Sequence, residues 1–299
     1  LFADPTEGAR ILSIWVGVIC LGLTMVPALF CKTQKVNEDE LSELSLEKMG
    51  ENIKGLLNGF SEAFQCKPFR QLCIATFFVF NAFNTVAGFS FFIIVYYIFN
   101  VDAAVAGTWP AWFGSLGALS TSFLVIPIIT FLSQRLGKKN TFLLSQSISL
   151  LGYISFWWCF NPDNPYLMLL PLPLFAFGIG SLFTMMMSMT ADVCDLNELN
   201  TGIRREGVFG AIYWWMVKFG FAIAGLFSGL ILTLVGFDQD ITAQLPETLE
   251  RLKLAYIIVP MSGTLIAIAI MSKYDLSEQK AHEIRQQLEA RRGAREGAS

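Results

Sequence analysis

Apolar residues gather into seven long stretches, near Ile11–Phe30, Leu72–Phe99, Trp109–Leu132, Phe142–Phe160, Leu167–Ala191, Val208–Gly236 and Leu254–Met271. Each reaches or approaches the roughly 20 residues needed to cross about 30 Å of hydrocarbon. The pattern therefore predicts an all-α membrane protein with seven transmembrane helices. A different pattern follows the first stretch. From Glu38 to Phe64, Leu41, Leu44, Met49, Ile53, Leu57, Phe60 and Phe64 recur at helical spacing among acids and lysines. That spacing predicts an amphipathic helix lying on a membrane surface. The segment Ser277–Ser299 is polar and predicts a helix fraying near Gly293 and Gly297.

Charge orients the spans. Seventeen of the 21 Lys and Arg fall in alternate connections: Lys32–Arg70, Gln134–Asn140, Asp192–Gly207 and the tail from Lys273. Arg10, Arg251 and Lys253 lie on the other side. Basic loops stay in the cytoplasm, so the N-terminus is expected outside and the C-terminus in the cytoplasm. The expected layout is a first span over residues 1–33, a cytoplasmic linker over 34–69, a six-helix bundle over 70–275 and a tail over 276–299. The chain opens on Leu1, without a cationic leader, and is read as lacking an N-terminal part. A net charge of −3 offers nothing to nucleic acid. The single His282 lies in the polar tail, and the six cysteines form no CxxC pair, so no metal-ligand cluster is legible. No Ser/His or Cys/His arrangement points to an enzyme.

Several spans carry helix-breaking residues: Pro127, Pro171, Pro173, Gly178 and Gly180. Broken helices survive in lipid where neighbours or water satisfy the freed backbone groups. Gly225 and Gly229 form a small-xxx-small pair suited to close helix packing.

The chemistry concentrates in two places. Lys218 lies about ten residues inside an apolar stretch, where a cation costs roughly 2.5–3.5 kcal/mol on insertion scales. Such a residue faces a wet cavity or a partner. Trp214 is four residues away and shares its helix face. An ammonium that donates to hydroxyls, beside an indole that covers an apolar ring face, suits a sugar. Asn81, Asn84 and Thr85 are polar positions expected on one face of the second span. The other concentration is the charged run Asp192 to Gly207. Two acids at a helix C-terminus are mildly unfavourable and imply cationic neighbours, with Lys138, Lys139, Arg204 and Arg205 on the same side.

The run Ala191, Asp192, Asp195, Glu198, Thr201, Gly202, Arg204, Glu206, Gly207 resembles a signature of the glycoside–pentoside–hexuronide:cation symporters. This is the melibiose permease family of the major facilitator superfamily, whose pattern is close to A-D-x-x-D-Y-x-E-x-x-T-G-x-R-x-E-G, with a lysine following in the next helix. Leu196 stands where the family has Tyr. Lys67-Pro68-Phe69 and Arg135-Leu136-Gly137-Lys138-Lys139 are similar to further family motifs. The resemblance implies that the seven spans are helices six to twelve of a twelve-helix major facilitator fold. It implies a sugar or glycoside as small-molecule solute, with Lys218, Trp214, Phe183, Asn81 and Asn84 in the binding cavity. It also implies a cytoplasmic gate of Asp192, Asp195, Glu198, Thr201, Gly202, Arg204, Arg205, Glu206 and Lys138, whose ion pairs form across the two halves and break as the inner side opens. No cofactor is expected, and the coupling cation, Na⁺ or H⁺, belongs to N-terminal helices outside this sequence. The expected location is a bacterial inner membrane. A lipid transporter on the same fold is the alternative. A seven-helix receptor fits less well, because a retinal-binding lysine belongs in the last span and Lys218 is in the one before.

Overall fold

The computed structural model describes residues 5–30, 59–99, 106–238, 241 and 244–296. The chain divides into two units, Leu1–Gly55 and Leu56–Ser299. The described part of the first is one apolar helix, α1 (Pro5–Phe30). Most of the expected amphipathic linker lies outside the described residues. Its last turn, 59–65, is helical and belongs to the second unit.

The second unit contains α2 (Lys67–Ile98), α3 (Trp109–Leu136), α4 (Lys138–Cys159), α5 (Pro165–Thr201), α6 (Glu206–Leu234) and α7 (Pro246–Ser272). The polar α8 (Glu278–Glu296) follows. With α1, seven helices are long and apolar enough to cross a membrane, and no strand occurs among the described residues. The domain layout differs from expectation. The tail does not stand apart: α8 lies in the same unit as the six spans, with Ala281, Ile284 and Leu288 buried along one face.

The ends of the helices follow from local chemistry. Proline stands in the first turn of α2, α3 and α7, where its missing N–H is no loss. Gly137 alone joins α3 to α4 with φ +77°, a region that costs glycine no side-chain clash. Gly202 ends α5 at φ +74° in a left-handed cap. That stop comes ten residues later than Ala191, where hydropathy placed it. The acidic run from Asp192 to Thr201 is therefore helix, because its acids are paired rather than solvated.

Three spans contain a wider π-helical turn: Ile93–Ile98 in α2, Ser120–Val125 in α3 and Leu182–Met186 in α5. The turn in α3 precedes Pro127, which offers no N–H to the carbonyl four residues back.

α2 packs along α6 and α7, while α5 packs against α3 and α4. Some seams leave no room for a side chain. A Cβ on Gly152 would stand 2.6 Å from the Phe175 backbone nitrogen, and one on Gly263 would stand 3.0 Å from the Phe78 carbonyl oxygen. Beside Gly152, the Gln146 amide donates to Gly178 O and Ser181 Oγ at 3.0 Å each. Gly225 and Gly229, expected to mediate close packing, have no neighbour among the described residues within 4 Å of a Cβ. Their face of α6 is open.

Lys253, expected in an outer loop, is instead buried in the first turns of α7. It donates to Tyr97 Oη at 3.0 Å and to Phe160 O at 3.1 Å. The ammonium also lies 4.7 Å and 5.0 Å from the centroids of Tyr97 and Trp157, a geometry that favours a desolvated cation.

Candidate functional site: an open cationic face and a braced charged end

α6 buries Phe209, Tyr213, Val217, Gly220 and Ala224 along one stripe. At 100° per residue Lys218 points the opposite way. It is exposed and makes no hydrogen bond or ion pair among the described residues. It stands twelve residues after Glu206, about 18 Å along the helix, hence near mid-membrane depth.

Aromatic groups flank it. Trp214, one turn earlier, is 45% exposed, and Phe221, one turn later, is 41% exposed. The Phe221 ring meets Phe80 of α2 edge-on at 5.5 Å. On the other side of Phe80, at 5.7 Å, stands Phe183 of α5. The π-helical turn at Leu182–Met186 shifts the phase of α5, and Phe183 emerges half-exposed from a helix whose neighbouring Leu182, Met185 and Met186 are buried. Three helices thus present one face: a free ammonium among Trp214, Phe221, Phe80 and Phe183.

The polar positions of α2 divide. Asn84 is half-buried and donates to Phe80 O at 2.7 Å, one turn from the aromatic cluster. Asn81 lies in the seam with α6, its backbone nitrogen 3.7 Å from the Cβ position of Gly220. Its Nδ2 is buried without a partner among the described residues. Thr85 is turned into the bundle, bonded to Asn81 O at 2.9 Å. The three therefore do not share an open face, since successive helix positions diverge by 100°. Phe80 and Phe221 were missed from the sequence. The signal for Phe221 was its three-residue spacing from Lys218.

At the basic end the acids of α5 gather cations from four directions. Asp192, 4% exposed, accepts from Lys138 Nζ at 2.5 Å and Arg285 Nη2 at 2.9 Å. Asp195 is 3.0 Å from Arg204 Nη1 and 3.6 Å from Arg285 Nε. Arg204 also donates to Glu198 at 2.6 Å and pairs with Glu206. Hydrogen bonds to Glu206 and Glu198 raise the Arg204 pKa above the ordinary guanidinium value. The Lys139 ammonium donates to Tyr274 O at 2.8 Å, and Glu278 of α8 accepts from the Lys138 N–H at 3.1 Å. Lys67 holds the exposed Asp275 carboxyl below its ordinary pKa.

These contacts place Asp192, Asp195, Glu198, Arg204, Glu206 and Lys138 in one network. Arg205 goes elsewhere, to Glu62 in the turn at 59–65. Thr201 and Gly202 serve the helix end, with Thr201 Oγ1 donating to Asn197 O at 2.8 Å. Arg285 and Arg291 of α8 are the unforeseen partners, Arg291 donating to Leu199 O at 2.9 Å. Every partner belongs to residues 56–299, so the observed pairs close within one unit, whereas a gate was expected to pair across two halves.

Comparison with known proteins supplies a frame for this geometry. Residues 3–278 match the family described as MFS/sugar transport protein. The glucuronide carrier protein homolog of Escherichia coli is 32% identical over 158 residues, covering 53% of this chain and 34% of that protein. An uncharacterised symporter of Bacillus subtilis is 28% identical over 250 residues, 83% of this chain and 51% of that protein. The isoprimeverose transporter of Lactiplantibacillus pentosus is 29% identical over 167 residues, 55% of this chain and 35% of that protein. The chain thus matches from about a third to half the length of these relatives.

Proposed function

The chain belongs to the MFS/sugar transport protein family, and from that premise we propose that it forms helices six to twelve of a cation-coupled sugar or glycoside symporter. The observation that carries this reading is the unpaired ammonium of Lys218, directed out of the bundle at mid-span among Trp214, Phe221 and Phe183. Lipid cannot hold that charge cheaply. A water-filled cavity shared with a second helical bundle can, and transporters of this kind bind solute at the midplane between two halves that rock about it.

In that cavity the roles follow from chemistry. Lys218 donates to solute hydroxyls or to an acidic group, and Trp214 covers an apolar ring face. Phe183, braced edge-on by Phe80, limits the cavity laterally. Asn84 contributes a polar group one turn outward. An acidic solute offsets the Lys218 charge most completely, and one relative is named a glucuronide carrier. The coupling ion, Na⁺ or H⁺, is assigned to helices preceding α1, as the family resemblance implies. The basic end faces the cytoplasm of a bacterial inner membrane. There the network around Asp192 braces the moving half.

The test is solute binding by the twelve-helix transporter in membrane vesicles. Lys218→Ala is expected to weaken glucuronide binding roughly 10- to 100-fold, since a charged hydrogen bond contributes about 1.5–3 kcal/mol. Lys218→Arg keeps the charge and should retain part of the affinity. Unaltered affinity in Lys218→Ala would remove the residue from the solute site.

A further inference from the structure

We infer that the solute carries an apolar substituent beside its sugar ring, an aryl or compact alkyl aglycone, and that this group seats in a cavity between α2, α3 and α5. The inference rests on the sugar reading above and narrows it. The cavity has a volume of about 270 Å³. Its buried walls are Phe113 of α3 with Leu172 and Phe175 of α5, and its open rim is Ala87, Gly114 and Ala118.

Position links it to the solute face. Ala87 is seven residues beyond Phe80. Seven residues are nearly two full turns, so the two share a face of α2 about 10 Å apart along the helix axis. Asn84 lies between them. A ring held near Phe80 and Phe183 can thus place a substituent in the cavity without leaving the face.

Chemistry selects the substituent. Two hydroxyls reach the lining, Ser90 and Thr121. Both protons serve their own helices: Ser90 donates to Val86 O at 2.7 Å and Thr121 to Gly117 O at 2.8 Å. A water or a sugar hydroxyl placed there would have few partners, and apolar cavities with few partners stay dry. The size also discriminates. A cavity of roughly 150 Å³ already holds benzene, whereas whole drug-sized ligands take roughly 300–1,000 Å³. The space fits one ring-sized group, too little for a complete solute or for the chains of a phospholipid.

The experiment compares binding of matched glycosides to the twelve-helix transporter by calorimetry. The probes are methyl and 4-nitrophenyl β-glucuronide, and methyl and 4-nitrophenyl β-xyloside. Within at least one pair, the aryl glycoside is expected to bind tenfold or more tightly than the methyl glycoside. Gly114→Leu fills the cavity from a position where a Cβ meets open space. Ala87→Leu fills it from the opposite helix. Each should bring the aryl-to-methyl ratio close to one while leaving the methyl affinity within about twofold, which also reports an intact fold. A ratio near one in the unmodified protein overturns the inference and leaves the sugar reading standing. So does a ratio that survives both substitutions. Binding of neither member of either pair overturns the sugar reading and this inference with it.

Discussion

Two charged residues near the bundle's surface show how burial separates roles. Lys218 is exposed and free, while Asp192 is buried and carries two cations. Removing the charge of Asp192 leaves Lys138 facing a weaker acceptor in a largely buried setting, with 18% of its side chain exposed. Asp192→Asn is expected to destabilise the bundle by roughly 1–3 kcal/mol, the cost of an unsatisfied buried group. Arg285 is half-exposed, and Asp192 keeps Lys138 when it is lost. Arg285→Ala should therefore cost under about 1 kcal/mol, as partly solvated pairs do. Denaturant titration in detergent orders the two, and a larger loss for Arg285→Ala would show that the tail, rather than Lys138, carries Asp192.

The helices pack where glycines bring backbones together, and those positions differ from the ones that spacing suggested. Gly152→Leu drives a side chain into the Phe175 backbone. It should cost upwards of 1–3 kcal/mol, since backbone cannot yield as a side chain can. Gly225→Leu meets open space and should leave the bundle's stability nearly unchanged. Monodisperse yield after extraction checks both: equal yields would mean that the α4–α5 seam is looser than its 2.6 Å approach implies. The contrast marks what could be read from the chain. Span number and the odd cation Lys218 were legible, because hydrocarbon imposes length and excludes charge wherever the helices sit. Helix faces were not. A small-xxx-small spacing at Gly225 and Gly229 states that two residues share a face, but only tertiary packing says what that face meets. Asn81 and Thr85 illustrate the same limit, because a polar residue in a span is equally at home in a seam or a cavity. The partners of Asp192 were half legible. Lys138 is close by topology, across the short connection after α3, whereas Arg285 required α8 to fold back, and Ala281, Ile284 and Leu288 are a faint apolar stripe in a strongly polar tail.

Across the whole molecule, the charged end decides what can move. The pairs from Asp192, Asp195 and Arg204 tie α4, α5, α8 and the start of α6 together. Lys67–Asp275 ties the start of α2 to the segment after α7. All these bonds close inside the unit Leu56–Ser299. A rocking half must travel as one body, so contacts within it should persist while contacts to the other half exchange. The two readings of this network then diverge in a measurable way. If it is a brace, linking Lys138→Cys to Asp192→Cys with a short bifunctional thiol reagent changes nothing that the cycle needs to break. In a background with the six native cysteines replaced, transport by the cross-linked double variant should stay within about twofold of the same variant before cross-linking. If the pair must instead open so that Asp192 can meet the other half, a covalent bridge traps one state. Uptake would then fall to background while solute binding on the accessible side persists. The first outcome is expected, because Asp192 already has two partners within its own unit and releasing both would leave a buried carboxylate without compensation.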